Sequence, residues 1–136
     1  MTREIFIDTG AWVSLLDRRD PKHLVGSGFF AHSLAAWPVW VTTNLVVAEA
    51  YTLIQRRGGH TVAVQFLTIL QEPSPLIKVY ADHTSELQAE AILRQYADQD
   101  FSYVDAVSFA VMRQRRISEA FAFDHHFTTA GFTRVV

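Results

Sequence analysis

Apolar positions along this chain fall into two alternating patterns: short continuous runs, and longer stretches in which they return every three or four residues. The runs at 4–8 (EIFID), 39–41, 76–80, 120–123 and 133–136 are rich in β-branched and aromatic residues and predict five strands. Six helices are predicted between them. The first covers 10–16. The second would be capped by Asp20, with Pro21 at its first position, and would run to Trp37 before Pro38 stops it. Thr43 or Asn44 would cap a third that runs to Arg57 and ends at Gly58 and Gly59. The others cover 61–71, 84–96 and 102–116. Strand and helix alternate throughout, and the strands are near-continuous apolar runs. That pattern predicts an α/β fold in one domain over 1–136, with a central, mostly parallel sheet between helices on both faces, in three layers.

Two of the strands run directly into a carboxylate, at Asp8 and at Asp124. In open α/β sheets ligands bind beyond the carboxyl ends of the strands, so both acids point to the place where this fold would put a site. Either could instead cap the helix that follows it. Glu49 is the only charged residue in LVVAEAYTLI, a stretch apolar on nearly every side, so its burial is expected. No basic residue stands three or four positions away, so a buried Glu49 would need a cation or a donor from elsewhere in the fold. Asp105 follows Ser102 at capping-box spacing, and a first-turn carboxylate can also serve as a ligand on its outward side. Asp98 and Asp100 stand just upstream as supplementary acids or as solvated loop residues.

Four acids brought together repel one another, and a hard divalent cation relieves that repulsion. All-oxygen donors select Mg²⁺ or Mn²⁺, which also take substrate phosphate. Zinc fits less well: of six histidines only His125 and His126 are close in sequence, and no helical i, i+4 pair exists. There is no cysteine, and Gly-x-Ser-x-Gly and Gly-x-x-x-x-Gly-Lys are absent. A haloacid-dehalogenase-type phosphohydrolase would carry a second aspartate two residues after Asp8, where this chain has Gly10. A Mg²⁺-dependent phosphohydrolase on a similar fold remains the catalytic alternative. The other alternative is a non-catalytic binding module using Phe29, Phe30, Trp37 and Trp40, which would otherwise be core.

The formal net charge of −2 argues at first against a nucleic-acid partner. Neutralising the four acids would leave 10 acidic against 12 basic residues, about +2. The basic residues also cluster, at Arg18, Arg19 and Lys22, at Arg56 and Arg57, and at Arg113, Arg115 and Arg116. Such clusters suit helix C-termini or a phosphate backbone. No run approaches about 18 uncharged apolar residues, and the first eight residues do not read as a leader, so a soluble cytoplasmic protein is expected.

The phrases IDTGAW, NLVVAEAYTL, DQDFSYVDAVSFAVM and AFDHHFTTAGF resemble, in order, the four acidic motifs of PIN domains, especially the VapC-like ribonuclease toxins of toxin–antitoxin pairs. The resemblance spans essentially the whole chain. It implies a Mg²⁺- or Mn²⁺-dependent endoribonuclease, RNA as substrate, a cognate antitoxin and frequently a homodimer. Carried onto this sequence, it makes Asp8, Glu49, Asp105 and Asp124 the catalytic and metal-holding acids, with Thr9, Asp98 and Ser102 as support. Arg56, Arg57, Arg113 and Arg116 are the expected RNA contacts. Gly10 departs from the pattern, since many members have serine there.

Overall fold

A computed structural model describes residues 2–136. Five parallel strands form one sheet: β1 (Glu4–Ile7), β2 (Val39–Thr43), β3 (Leu76–Val79), β4 (Glu119–Phe121) and β5 (Thr133–Arg134), in the order β3-β2-β1-β4-β5. Seven helices connect them: α1 (Thr9–Leu16), α2 (His23–Ser33), α3 (Asn44–Gly58), α4 (His60–Gln71), α5 (His83–Gln95), α6 (Tyr103–Arg115) and the single turn α7 (His126–Thr129). The chain steps outward from β1 to β3, then returns past β1 to β4. Right-handed crossovers therefore place α1–α4 on one face and α5–α6 on the other.

The side chains follow the same division. Ile7 lies opposite Phe121 and Ile5 opposite Trp40, so these four share a face. Phe29 of α2 packs on that face, 4.9 Å from Phe121 and 6.4 Å from Trp40 between ring centres. Phe6 points the other way, 6.2 Å from Phe127, which in turn meets Phe109 of α6 at 5.0 Å. All of these rings except that of Phe29 are almost wholly removed from water, and each buried aromatic contributes roughly 1.5–3 kcal/mol. Among the described residues no helix is long and apolar enough to cross a membrane.

Local signals explain most of the boundaries. Thr43 caps α3 by accepting from the Val46 N–H at 3.1 Å, while the Asn44 side chain instead accepts from the Ala81 N–H. Gly59, at φ 89°, supplies the positive φ that separates α3 from α4. Asp82 caps α5, and Ser102 and Asp105 complete both bonds of a capping box at α6.

The second helix departs from expectation at both ends. Asp20 does not cap it: α2 begins at His23, and Asp20 makes a turn by accepting from the Lys22 N–H at 2.8 Å. Its other oxygen is drawn 3.0 Å from Arg57, a partner 37 residues away that local pattern cannot reveal. At the far end α2 stops at Ser33, tightens into a 3₁₀ turn over Leu34–Ala36, and reaches Trp37 at φ 49°. Proline at 38 disfavours right-handed helix at Trp37, so the helix is lost before it. Trp37 is left 80% exposed, whereas Phe29, Phe30 and Trp40 pack together against the sheet.

Helix α2 comes close to α1 at Gly26. A β-carbon at Gly26 would overlap the Ser14 hydroxyl, which is buried and held by its 2.7 Å bond to the Ala11 carbonyl. Gly26→Ala is expected to destabilise the fold by about 1–3 kcal/mol, measured by urea unfolding. In a Ser14→Ala background the same substitution should cost clearly less, because the hydroxyl is the obstacle.

Candidate active site

The reversal of strand order between β1 and β4 leaves a crevice beyond their carboxyl ends, and both strands lead to an aspartate there. The Asp8 N–H donates to the Phe121 carbonyl at 3.1 Å, which carries the β1–β4 ladder one residue past β1. On the β4 side, Arg134 donates to the Phe123 carbonyl at 2.7 Å and steadies the segment leading into Asp124. Helix α3 brings Glu49 to the same place, and the first turn of α6 brings Asp105. The resulting cleft has a volume of about 450 Å³, and all four acids line it, together with Thr9, Gly10, Asp100, Ser102 and His126.

Asp8 is buried, only 6% exposed, and its side chain makes no capping bond to α1. Removal from water pushes its carboxyl up to about 7, the Thr9 N–H pulls the other way, and the negative charges of Asp105, Glu49 and Asp124 add to the rise. Each of the other three acids is therefore near enough for its field to be felt at Asp8. Asp105 is buried as well, and its Oδ2 accepts from the Ser102 N–H at 3.0 Å. Among the described residues its Oδ1 accepts no hydrogen bond, so the capping role leaves one oxygen for the cleft. Asp124 is half-buried and accepts from the backbone N–H of His126 at 2.9 Å.

Glu49 overturns one expectation, because it is exposed. Only Val46, Ala50 and Ile54 of α3 are fully buried, and the opposite side of the helix forms a wall of the cleft. An apolar flank in sequence does not tell which side of a helix meets the core. Among the expected supporting residues Thr9 and Ser102 line the cleft. Asp98 is exposed and does not line it, whereas its neighbour Asp100 does.

The basic residues divide in the same way. Arg57 lines the cleft, paired with Asp20, and Lys22 lies on the same rim with its ammonium 5.7 Å from the centre of the Phe123 ring. Arg56 is exposed at the end of the same helix. Arg113 and Arg116 are not brought to the cleft, because they stand at the opposite end of α6 from Asp105, roughly 12–16 Å along its axis. Their clustering in sequence reflects a helix C-terminus.

His126 is the residue that motif reading missed as part of this constellation. Its Nδ1 lies 3.1 Å from Asp105 Oδ2 and 3.2 Å from Asp124 Oδ2. The signal was the adjacency of Asp124, His125 and His126, the one set of three potential ligand atoms within 4.8 Å of one another among the described residues. His125 is 75% exposed and His126 already bonds the acids, so this triplet is a product of adjacency rather than a built metal site.

The donor set fits a hard divalent cation. Its groups are carboxylates, three of which add their charge to the rise at Asp8, and beside them the buried Thr9 Oγ1 has no hydrogen-bond partner among the described residues. A buried hydroxyl in that condition costs about 1–3 kcal/mol, a cost relieved by further oxygen ligands at the site. A β-carbon at Gly10 would meet nothing within 4 Å, so the glycine, which lines the cleft, is not required there by close packing.

Comparison with known proteins agrees with this geometry. The PIN domain family model matches residues 5–132. The 23S rRNA-specific endonuclease VapC20 from two strains of Mycobacterium tuberculosis is 38% identical over 134 residues, covering 96% of this chain and 97% of that protein. The crystal structure of Mycobacterium tuberculosis VapC20, described as a sarcin–ricin loop cleaving toxin, superposes with a TM-score of 0.88 at 36% identity, covering 95% of this chain and 96% of that one.

Asp8 makes the fold sensitive to pH. Its folded pKa, about 7, lies above its ordinary 3.8, so the folded chain holds this proton more tightly than the unfolded chain. Its contribution to stability is therefore full at low pH and is lost as pH rises from about 4 through about 7. In chelator, Asp8→Asn should match the parent near pH 4 and exceed it by on the order of 1–3 kcal/mol at pH 8, measured by urea unfolding. A difference that does not change with pH would show that the charge on Asp8 is not what the fold resists.

Proposed function

This chain belongs to the PIN domain family, and from that membership we propose a metal-dependent endoribonuclease, the toxin of a toxin–antitoxin pair. The observation that carries the reading is the buried carboxylate of Asp8, raised toward neutrality first by its removal from water and further by the charges of Asp105, Glu49 and Asp124 at the carboxyl edge of a parallel sheet. Those four acids would hold Mg²⁺ or Mn²⁺. When bound, the ion supplies Lewis-acid polarisation of the scissile phosphate and neutralises the charge that develops on it. The protein's own part is to fix the acids on rigid elements, to hold Asp8 out of water, and to present cations to the rest of the phosphate chain.

Arg57 and Lys22 suit that last task because they rim the same cleft. Contacts of this kind position a backbone and do not read sequence, so the choice of cut site falls to loops around the rim. Similarity to the 23S rRNA-specific endonuclease over nearly the full length of both chains favours a structured ribosomal RNA as the substrate class, cut in the cytoplasm. The protein partners of this reading are a cognate antitoxin and a second copy of the chain. The exposed apolar side chains of Leu24 and Val25 on α2, and of Val64 and Leu67 on α4, offer surface for them.

Purified chain should cleave RNA internally with Mg²⁺ or Mn²⁺ and stop on addition of chelator. Asp8→Asn should lower the rate by at least about 100-fold in the same assay. Cleavage that persists undiminished in chelator would refute the metal-dependent reading. Arg57→Ala should act differently, weakening RNA binding and lowering the slope of log affinity against log salt by about one. An unchanged slope would reduce Arg57 to the partner of Asp20.

A further inference from the structure

We propose that His126 is a positioning residue that ties Asp105, bonded by its ring Nδ1–H, to Asp124, bonded by its backbone N–H, and thereby sets the direction in which Asp105 presents its remaining oxygen to the cleft. The proposal rests on the metal-dependent reading of the same cleft. It begins from three contacts made by one residue. The ring Nδ1 stands 3.1 Å from Asp105 Oδ2 and 3.2 Å from Asp124 Oδ2, and the backbone N–H donates to Asp124 Oδ1 at 2.9 Å. An ionised carboxylate only accepts, so a nitrogen this close to two of them must carry its hydrogen there, donating it to Asp105 Oδ2 with Asp124 Oδ2 close beside it.

The ring is itself held. Its side chain is 15% exposed, and Phe101 meets it edge-on at 5.1 Å with an interplanar angle of 72°. Phe101 in turn packs on Phe109 in the middle of α6, so the ring is referenced to the same helix that carries Asp105. Asp105 Oδ2 is then fixed from two sides, by the ring and by the Ser102 N–H at 3.0 Å. With one oxygen fixed twice, the plane of the carboxyl group is set, and Oδ1 has one direction left. Two N–H groups of one residue, the ring's on Asp105 and the backbone's on Asp124, also offset part of the repulsion between the two aspartates. Hydrogen-bonding partners of this kind typically change metal affinity or activity by about 10–100-fold when removed.

Two substitutions separate the N–H from the ring. Asparagine places an amide N–H at the same number of bonds from the backbone as Nδ1 but has no ring to pack on Phe101. Phenylalanine keeps a ring and has no donor. The experiment measures Mn²⁺ binding alone by calorimetry, with kcat and KM for RNA cleavage at saturating Mn²⁺ and urea unfolding in chelator as companions. His126→Phe should remain folded and lose about 10–100-fold in Mn²⁺ affinity, with the catalytic loss falling on kcat rather than KM. His126→Asn should bind Mn²⁺ close to the parent. The proposal is overturned if His126→Phe binds Mn²⁺ as the parent does. It is equally overturned if His126→Asn folds and is the more impaired of the two, for then the ring and not its N–H matters. A parent chain that takes up no Mn²⁺ overturns the metal-dependent reading and this proposal with it, a result distinct from either of those.

Discussion

A carboxylate taken out of water beside three others is costly by several kcal/mol unless a cation shares the site, and that cost sits at Asp8. The surrounding structure is what makes the cost tolerable to the fold. Asp8 is pinned by its own backbone to β4, and its neighbours come from three separate elements, so no local adjustment can separate the charges. The apolar sheet beneath, closed on both faces by aromatic packing, supplies the stability against which this repulsion is set. A divalent ion held by these acids would relieve that strain, and its uptake would compete with the proton on Asp8 near neutral pH.

The strand order explains why these acids and no others converge. The chain builds outward from β1 to β3 and then crosses to the far side of β1, so the ends of β1 and β4 flank the one point where connections diverge. Helix α6 arrives there with its N-terminus, whose positive end favours the buried Asp105. Helix α3 passes with Glu49 facing outward, which gives the cleft one solvated wall and one dry one. A phosphate chain with cations along one rim, Arg57 and Lys22, can enter from the wet side.

Much of this was legible in the sequence because it is local. Apolar runs ending in Asp8 and Asp124, the Ser102–Asp105 spacing and the glycines after Arg57 each encode one feature over a few residues, and the structure contains each of them. What escaped depends on pairing across the chain. Asp20 reads as a helix cap until Arg57, 37 residues on, is seen beside it. Glu49 reads as buried because its flanks are apolar, yet the side of α3 that bears it faces the cleft. His126 reads as one of an adjacent pair with no helical partner, and only the fold carries Asp105 to its ring. Arg113 and Arg116 share a cluster pattern with Arg56 and Arg57 but sit at the other end of α6 from Asp105 and do not line the cleft, a distinction of direction along a helix that charge counting does not carry.

Membership of the PIN domain family and full-length similarity to an RNA endonuclease give the acidic cleft its chemical context. The central claim is that the four acids act together as one cation site. Crystals grown with Mn²⁺ and measured for anomalous scattering test it most directly. One or two peaks bounded by Asp8, Glu49, Asp105 and Asp124 are the predicted result. A peak held by Asp124, His125 and His126 without Asp8, or no peak in the cleft at saturating Mn²⁺, would contradict it.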